Sequence, residues 1–382
     1  MNIESEALLS IIIPVFNGEK TIGLCLQSLR TSYDPNCEVI VIDDGSTDAT
    51  GEVANRFPCR YLRHRRRQGA AAARNLGVQH ARGQLLFFID ADCMVLPETL
   101  HHVRSSLQQE PINTIVGGTY LPKALDGGFF SDFQAIFVNF FETRNHLPDH
   151  APDYIATHAM AMQRELFVQH PGFNNDKLPI LEDVEYSHRM RQHGIQLRMS
   201  PHIRVQHYFG FNLVRSLRNA IRKSMVWTQY SLNRNDVFES SGTASLELKI
   251  TTTVLPIIVA MSLLVPGRVA AVMALLGLLT VNMQVNWKFI GTINRVHGLN
   301  FTFFSCLYYF FVYPLAVATG ACAGIAAFLL QYFQYQTMPR SEMASRSGLS
   351  SRSGLSPGSR LSSRSGLSSR SGLSPGSRLP NV

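Results

Sequence analysis

Two apolar runs of the sequence each end in a pair of carboxylates, and these four acids have the residue types and spacing best suited to chemistry. The first run ends in Asp43 and Asp44, and the second ends in Asp90 and Asp92. Apolar runs of this length are typical of strands buried on both faces, so the acids are expected where strands leave a sheet. Open α/β sheets bind ligands at that edge. Because four carboxylates repel one another, the pattern predicts a cation or a positively polarised ligand among them.

The spacing of Asp90 and Asp92 suits one kind of ligand in particular. With a single residue between them, both carboxylates can reach one divalent cation that bridges a diphosphate. The same triplet also occurs in ordinary solvent-exposed turns, and on its own it leaves that interpretation open. Oxygen ligands suit Mg²⁺ and Mn²⁺ alike, so the residue types predict a divalent cation without choosing between the two.

The elements that must position these acids alternate along the first part of the chain. Strand patterns and helix patterns follow one another from residue 10 to about residue 100 and become less regular after Gly118. Such alternation favours an α/β fold with a mostly parallel central sheet and helices on both faces. The predicted strands are 10–16, 38–43, 60–64, 84–90 and a short one near Ala159, and the predicted helices include 19–30, 47–56, 70–81 and one that begins at Pro97.

Three regions of different composition make up the 382 residues. Residues 1–245 mix charged and apolar side chains as a globular domain does, 246–335 are mostly apolar, and 336–382 form a tail of few residue types. The formal charge is +8, but seven arginines and one glutamate in the tail account for six of those charges. The rest is too weakly basic to indicate a nucleic-acid partner. The tail repeats the segment 345–362 almost perfectly, and its composition predicts disorder.

The apolar region contains stretches long enough to cross a bilayer about 30 Å thick. Residues 250–265, 268–290 and 301–333 predict about three transmembrane helices. Basic residues are concentrated before the first stretch, which places the first domain on the cytoplasmic side. The sequence therefore predicts an integral protein of an inner or plasma membrane with a cytoplasmic N-terminal domain.

Four motifs in the first domain occur in a recognisable order. They are Ile13–Asn17 at the end of the first strand, Asp43–Asp48 at the end of the second, Gly69–Gly77 at the start of a helix, and Asp90–Asp92. With these motifs the sequence resembles the family 2 glycosyltransferases of the GT-A fold, over residues 8 to about 235. The resemblance implies that a nucleotide-sugar donor binds at this edge of the sheet.

The resemblance also implies roles for individual residues. Pro14 and Asn17 would shape the nucleobase pocket, and Asp43 or Asp44 would accept a hydrogen bond from uracil or ribose. The donor-binding set as a whole is Pro14, Asn17, Asp43, Asp44, Arg74, Asn75 and Asp90, and the metal pair is Asp90 and Asp92. A carboxylate suits a uracil N–H or a ribose hydroxyl, and a cation suits a diphosphate. Asp44 as a helix cap and Arg74 on a solvated helical face remain open alternatives.

A second group of acids, Glu182 and Asp183, opens a predicted helix further along the chain. The positive end of a helix favours ionised carboxylates, and stabilising that helix is the open alternative to catalysis. In the family this pair supplies the acceptor-side base, so the resemblance implies that Asp183, with Glu182 beside it, is catalytic. An inverting transfer needs such a base to remove the proton of the acceptor hydroxyl. His207 matches a histidine that many relatives present to the metal or the diphosphate.

Two further features concern the acceptor. The Gln-x-x-Arg-Trp motif of processive members does not precede Trp227 or Trp287, which favours the transfer of a single sugar. Residues 211–230 mix basic and apolar side chains as helices at a membrane interface do, and they suggest a lipid or lipid-linked acceptor. We therefore expect an inverting, metal-dependent glycosyltransferase of the hexosyltransferase class. The alternative is a non-catalytic membrane assembly or transport subunit that retains the fold.

Overall fold

The computed structural model describes residues 8–32, 34–144, 152–174, 180–264 and 268–336. Within those ranges the chain forms eight strands and twelve α-helices. The strands are β1 (Leu9–Val15), β2 (Cys37–Asp43), β3 (Arg60–Arg63), β4 (Leu85–Phe88), β5 (Cys93–Val95), β6 (Thr114–Tyr120), β7 (Met160–Gln163) and β8 (Gln196–His207). The helices are α1 (Ile22–Thr31), α2 (Thr50–Ala54), α3 (Ala70–His80), α4 (Thr99–Gln109), α5 (Phe129–Thr143), α6 (Arg164–Gln169), α7 (Glu182–Gln192), α8 (Leu213–Arg234), α9 (Leu246–Leu264), α10 (Arg268–His297), α11 (Leu299–Leu307) and α12 (Tyr313–Gln336). A 3₁₀ turn covers Thr157–Ala159, and a π-helical turn covers Tyr308–Val312.

These strands form one sheet with the order β3-β2-β1-β4-β7-β6-β8-β5. Strand β1 lies between β2 and β4 and pairs with both in parallel. Every residue of β1 is buried, as expected of an apolar run that is covered on both faces. Because these three strands are parallel, their carboxyl ends meet at one edge of the sheet. The two acid pairs therefore lie on either side of β1, as the sequence predicts.

The second half of the sheet is more mixed than the sequence predicts. Among the described strands, four pairings are parallel and three are antiparallel. Strand β7 runs antiparallel to β4 and β6, and β5 runs antiparallel to β8. In the β5-β8 register, His207 lies opposite Cys93. This antiparallel pairing brings the last residue of β8 next to Asp92.

Helix α3 lies close to the sheet because Gly77 faces it. A Cβ atom at this position would lie 2.5 Å from Cγ2 of Ile12 and 2.8 Å from Cδ1 of Ile42, so a larger residue would push the helix away. Gly69, which precedes the helix, has a φ of 100°, a conformation that favours glycine. The close packing holds Arg74, in the middle of α3, at the carboxyl edge of the sheet.

The predicted strands and helices before residue 100 are present, with boundaries that differ from the observed ones by up to three residues. The helix predicted to begin at Pro97 begins at Thr99. The short strand predicted near Ala159 is confirmed as β7, which follows directly on a 3₁₀ turn that ends at Ala159. The exact ends of elements are what residue patterns define least sharply.

The predicted membrane region folds as helices α9 to α12. Among the described residues, one continuous segment, Leu299–Gln334, is a candidate membrane span by length and composition, with a mean hydropathy of 1.8 in its most apolar part. The first two predicted spans correspond to α9 and α10, and residues 265–267 between them lie outside the described residues. The count of about three spans and the three-region division therefore stay predictions. The predicted disorder of 337–382 also lies outside the described residues.

Helix α8, the predicted interfacial helix, has a basic face and a face of small residues. Arg215, Arg218, Arg222 and Lys223 are exposed. On the other face, α8 is in close contact with α12, where a Cβ on Gly320 would lie 2.3 Å from the carbonyl oxygen of Ile221. The basic side chains thus form an exposed cationic surface, and the contact with α12 attaches helix α8 to the candidate span.

Candidate active site

A cleft of about 380 Å³ opens at the carboxyl edge of β1, β2 and β4. It contains most of the residues that the sequence predicts for donor binding. Pro14, Asn17, Asp44, Arg74, Asp90, Asp92 and Glu182 all line it. The structure thus brings together side chains from four separate motifs.

Arg74 links the acids on the two sides of the cleft. Its Nη2 lies 2.7 Å from Oδ1 of Asp90, and its Nη1 lies 2.6 Å from Oε1 of Glu182. The residue is 3% exposed, so the interpretation of Arg74 as a solvated helical face is wrong. Desolvation acts to raise the pKa of Asp90, but the charge of Arg74 and its hydrogen bond act against it, and this pKa lies below its usual value. Arg74 therefore favours the ionised form of Asp90 and also pairs with Glu182.

Asp92 lies on the open side of the cleft beside His207. Its side chain is 42% exposed, and its Oδ1 lies 3.3 Å from Nε2 of His207. Desolvation, together with repulsion from Asp90, raises the pKa of Asp92, which is the behaviour of a carboxylate short of positive charge. Asp92, Cys93 and His207 have ligand atoms within 4.8 Å of one another. Burial raises the pKa of the Cys93 thiol, so carboxylate and imidazole are the better ligands here.

This donor set fits a divalent cation. Carboxylate oxygen and imidazole nitrogen are ligands that Mn²⁺ accepts, and Mg²⁺ accepts the carboxylates. Nε2 is the ring nitrogen of His207 that faces Asp92, at 3.3 Å, and Nδ1 is buried without a hydrogen-bond partner in the described residues. Asp92 and His207 belong to this group, whereas Asp90 is not among its members and pairs through Oδ1 with Arg74. The metal role predicted for Asp90, Asp92 and His207 stays a prediction.

Asp183 is held at the start of α7 on the other side of Arg74. Its Oδ2 accepts a hydrogen bond from the N–H of Thr157 at 3.2 Å. The residue before the helix, Leu181, has a φ of 75°. Of the two acids that follow it, Glu182 lines the cleft, whereas Asp183 is not among the residues that line it. Burial and the neighbouring charge of Glu182 raise the pKa of Asp183 to about 6. A carboxylate with this pKa is ionised at pH 7 and is a stronger base than an ordinary aspartate.

The acids after β2 are used differently from the prediction. Both oxygens of Asp43 are occupied, because Oδ1 accepts from the N–H of Ser46 at 2.7 Å and Oδ2 accepts from the hydroxyl of Tyr61. Asp44 accepts from the N–H groups of Gln68 and Gly69 at 2.8 and 2.7 Å. The geometry gives no support to a nucleotide contact by Asp43. Asp44 lines the cleft and also anchors the loop before α3.

Asn75 has a structural role in the described chain. Its Nδ2 donates to the carbonyl of Phe173 at 2.8 Å, and its Oδ1 accepts from the N–H of Phe173 at 2.9 Å. This pair of hydrogen bonds fixes the Gly172–Phe173 segment against α3. Asn75 therefore supports the site from behind, and its predicted contact with the donor stays a prediction.

Phe16 and Arg67 are among the further residues that line the cleft. The guanidinium of Arg67 lies over the ring of Phe16, 4.1 Å from its centroid. Phe16 belongs to the first motif and Arg67 ends a basic run, so a signal was present for both. Their pairing depends on the loop that Asp44 anchors, which residue spacing does not reveal.

Comparison with known proteins identifies the domain. Residues 10–169 match the family described as Glycosyl transferase family 2. The chain carries a family 2 glycosyltransferase domain. The glycosyltransferase GlyG of Streptococcus pneumoniae is 29% identical over 128 residues, which are 32% of this chain and 42% of that protein. Dodecaprenyl-phosphate galacturonate synthase of Rhizobium johnstonii is 31% identical over 118 residues, which are 28% of this chain and 35% of that protein. The chain thus spans less than half the length of either relative.

The glycosyltransferase domain also has a known fold. The mannosyltransferase PcManGT from Pyrobaculum calidifontis, solved in complex with GDP-Man and Mn²⁺, superposes with a TM-score of 0.52. The superposition covers 85% of this chain and 88% of that chain, at 16% identity. The predicted GT-A fold class is confirmed, and so is the predicted membership of family 2 for this domain.

Proposed function

We propose that this protein transfers one sugar, with inversion, from a nucleotide-sugar donor to a membrane-associated acceptor. The observation that carries the proposal is the double ion pair of Arg74. It joins Asp90, on the donor side of the cleft, to Glu182, beside Asp183 on the acceptor side. The buried guanidinium of Arg74 thus sets the distance between Asp90, which would lie near the diphosphate, and the acid pair that contains the candidate base.

The donor would occupy the cleft between β1 and α3. Asn17 accepts from the N–H of Thr47 at 2.9 Å and so fixes the rim of the nucleobase pocket, while Phe16 and Arg67 close one side of it. Arg74 faces the same cleft. Two carboxylates, Asp90 and Glu182, already pair with this single positive charge, so the charge of the diphosphate would be balanced mainly by a bound divalent cation.

Asp90, Asp92 and His207 are the residues that would hold a divalent cation. When bound, such a cation supplies positive charge that stabilises the leaving nucleoside diphosphate. The structural neighbour that was solved with Mn²⁺ and GDP-Man supports both the cation and the type of donor. Asp92 suits this role because its side chain is partly exposed and few positive groups lie near it, as its raised pKa indicates.

Asp183 would act as the general base. Glu182 is paired with the guanidinium of Arg74, whereas the oxygens of Asp183 accept only from the N–H groups of Thr157 and Val184. Asp183 is therefore the acid of the pair that we assign to proton transfer. It would take the proton of the acceptor hydroxyl as that oxygen attacks the anomeric carbon from the side opposite the leaving group. Attack from that side inverts the configuration of the sugar. Glu182 then serves to hold Arg74 in place.

The acceptor would be a lipid or a lipid-linked saccharide. The exposed basic face of α8 suits an anionic membrane surface on the cytoplasmic side, and α8 packs against the candidate span α12. This arrangement holds the catalytic domain at the bilayer. The relative named dodecaprenyl-phosphate galacturonate synthase supports an acceptor of this kind.

The test is release of free nucleotide by the detergent-purified protein from a panel of UDP-, GDP- and dTDP-sugars. Mn²⁺, Mg²⁺ or EDTA is added in parallel, and a membrane lipid extract serves as the acceptor. Metal-dependent release from one donor would support the proposal and identify the sugar. No release from any donor would favour the alternative, a non-catalytic membrane subunit that retains the fold.

A further inference from the structure

A buried pair of titratable groups lies behind the cleft and takes no part in the steps described so far. Glu142, in the last turn of α5, and His158, in the 3₁₀ turn, have side chains that are each 6% exposed. Oε2 of Glu142 lies 3.5 Å from Nε2 of His158 and accepts from Oγ1 of Thr119 at 3.1 Å. Nε2 of His158 is buried without a hydrogen-bond partner in the described residues. Because burying such groups is costly, the pair calls for a physical reason.

The surroundings of this pair favour neutral forms of both groups. Burial raises the pKa of Glu142 to about 8, and the negative end of α5 also disfavours a carboxylate there. Burial lowers the pKa of His158 to about 3, so its imidazole is neutral at pH 7. A neutral carboxyl group can donate its O–H to a ring nitrogen, and such a contact fixes the tautomer and orientation of the imidazole.

His158 is connected to the donor side through ring contacts. Its imidazole stacks on the ring of Tyr120 with centroids 4.0 Å apart. Tyr120 meets the ring of His207 edge-on at 4.8 Å, and His207 faces Asp92. A change in the orientation of His158 would therefore move Tyr120 and, through it, His207.

The same turn is connected to the acceptor side through the backbone. Thr157, the residue before His158, donates its N–H to Asp183. Thr157 and His158 share one three-residue turn, so the backbone that carries the imidazole also carries the hydrogen bond to the candidate base. His158 is thus the residue where the two halves of the site meet.

We propose that Glu142 and His158 are positioning residues, which hold His207 and Asp183 in register across the cleft. The inference rests on the proposed function for the roles of His207 and Asp183. Glu142 acts only through His158, and His158 acts through Tyr120 and Thr157. Nε2 of His158 has no hydrogen-bond partner in the described residues, and Oε2 of Glu142 is 3.5 Å away, so a neutral donor at position 142 would supply the missing partner by a small approach. A glutamine, which has the same size and an N–H donor, can replace Glu142 in that role.

The experiment compares Glu142→Leu, which removes the donor, with Glu142→Gln, which keeps it. Asp34→Asn is the matched control, because Asp34 is a buried acid paired with Arg104 at 2.5 Å outside this network. Two quantities are measured: kcat at saturating Mn²⁺, and Mn²⁺ affinity from the EPR signal of the free ion. We expect Glu142→Leu to lower kcat and the Mn²⁺ affinity about tenfold each, as substitutions behind metal ligands do. The donor KM should stay within about twofold of wild type. Glu142→Gln should keep both within about twofold of wild type, and Asp34→Asn should lower only the melting temperature.

A milder variant, Thr119→Val, removes the hydrogen bond to Glu142 and covers the case in which Glu142→Leu does not fold. It should lower kcat and the Mn²⁺ affinity as well, by about threefold. Unchanged kcat and Mn²⁺ affinity in Glu142→Leu and Thr119→Val would overturn the inference. Equal loss in Glu142→Gln and Glu142→Leu would overturn it as well, and so would a wild-type protein that binds no Mn²⁺. If the wild type binds Mn²⁺ but transfers no sugar, the proposed function fails while the Mn²⁺ affinities still decide the positioning role.

Discussion

The two acid pairs at the carboxyl edge look alike in the sequence but differ in the structure. The side chains of Asp43 and Asp44 are 1% and 4% exposed, and protein groups occupy their oxygens. The side chains of Asp90 and Asp92 are 32% and 42% exposed and face the cleft. The first pair builds the loops around the donor site, and the second pair is open to a ligand. A buried acid whose oxygens accept from nearby backbone groups holds its loop in place, whereas an exposed acid that faces the cleft is available to a ligand.

The largest effect is expected at Asp183, the candidate base on the acceptor side. Asp183→Asn keeps the size of the side chain and an oxygen that can accept from Thr157, but it removes the base. We expect kcat to fall by roughly 10²- to 10⁴-fold, with donor affinity within about twofold of wild type. Steady-state kinetics and donor binding by calorimetry measure the two quantities. A loss of donor binding equal to the loss of turnover would assign Asp183 to binding instead of catalysis.

A smaller effect is expected from pH. Because the pKa of Asp183 is raised to about 6, the base is ionised above that pH and protonated below it. The rate constant kcat/KM should therefore rise with pH up to about 6 and fall about tenfold per unit below it. A profile at fixed saturating Mn²⁺ checks this expectation. A flat profile between pH 5 and pH 7 would exclude Asp183 as the titrating base.

The smallest effect on turnover is expected at Asp43, the closed acid. Asp43→Asn weakens the hydrogen bond from Tyr61 and the attraction to Arg63, whose Nε lies 3.7 Å from Oδ2. We expect a loss of about 1–3 kcal/mol in the free energy of unfolding, with kcat of the folded protein nearly unchanged. Thermal unfolding and initial rates measured on the same preparation test this. A selective loss of donor binding at unchanged stability would restore the nucleotide contact first predicted for Asp43.

The sequence predicts the parts of the fold that depend on local patterns. The strands β1, β2 and β4 are buried apolar runs, and their ends place the acid pairs at one edge without further information. The start of α7 at Glu182 also follows from the acids that open it. These elements carry the motifs of the family, so the donor site and the GT-A fold could be predicted together.

The parts that the sequence does not reveal depend on contacts between distant residues. The position of His207 follows from an antiparallel pairing of β5 with β8, and the role of Asn75 follows from its hydrogen bonds to Phe173. The difference between the two acid pairs depends on which backbone N–H groups the loops present. The network of Glu142, His158 and Tyr120 has no motif at all, because its members share only a location in the folded chain.

The most direct test of this account measures nucleotide release by Asp92→Ala and Asp43→Asn side by side with wild type. The preferred donor is used, with Mn²⁺ or EDTA, and the unfolding midpoint of each protein is recorded. The account predicts that Asp92→Ala is as stable as wild type and loses at least about 100-fold in rate, while Asp43→Asn is less stable and stays active. An Asp92→Ala protein with metal-dependent release near the wild-type rate would contradict the assignment of the open acid pair to the reaction.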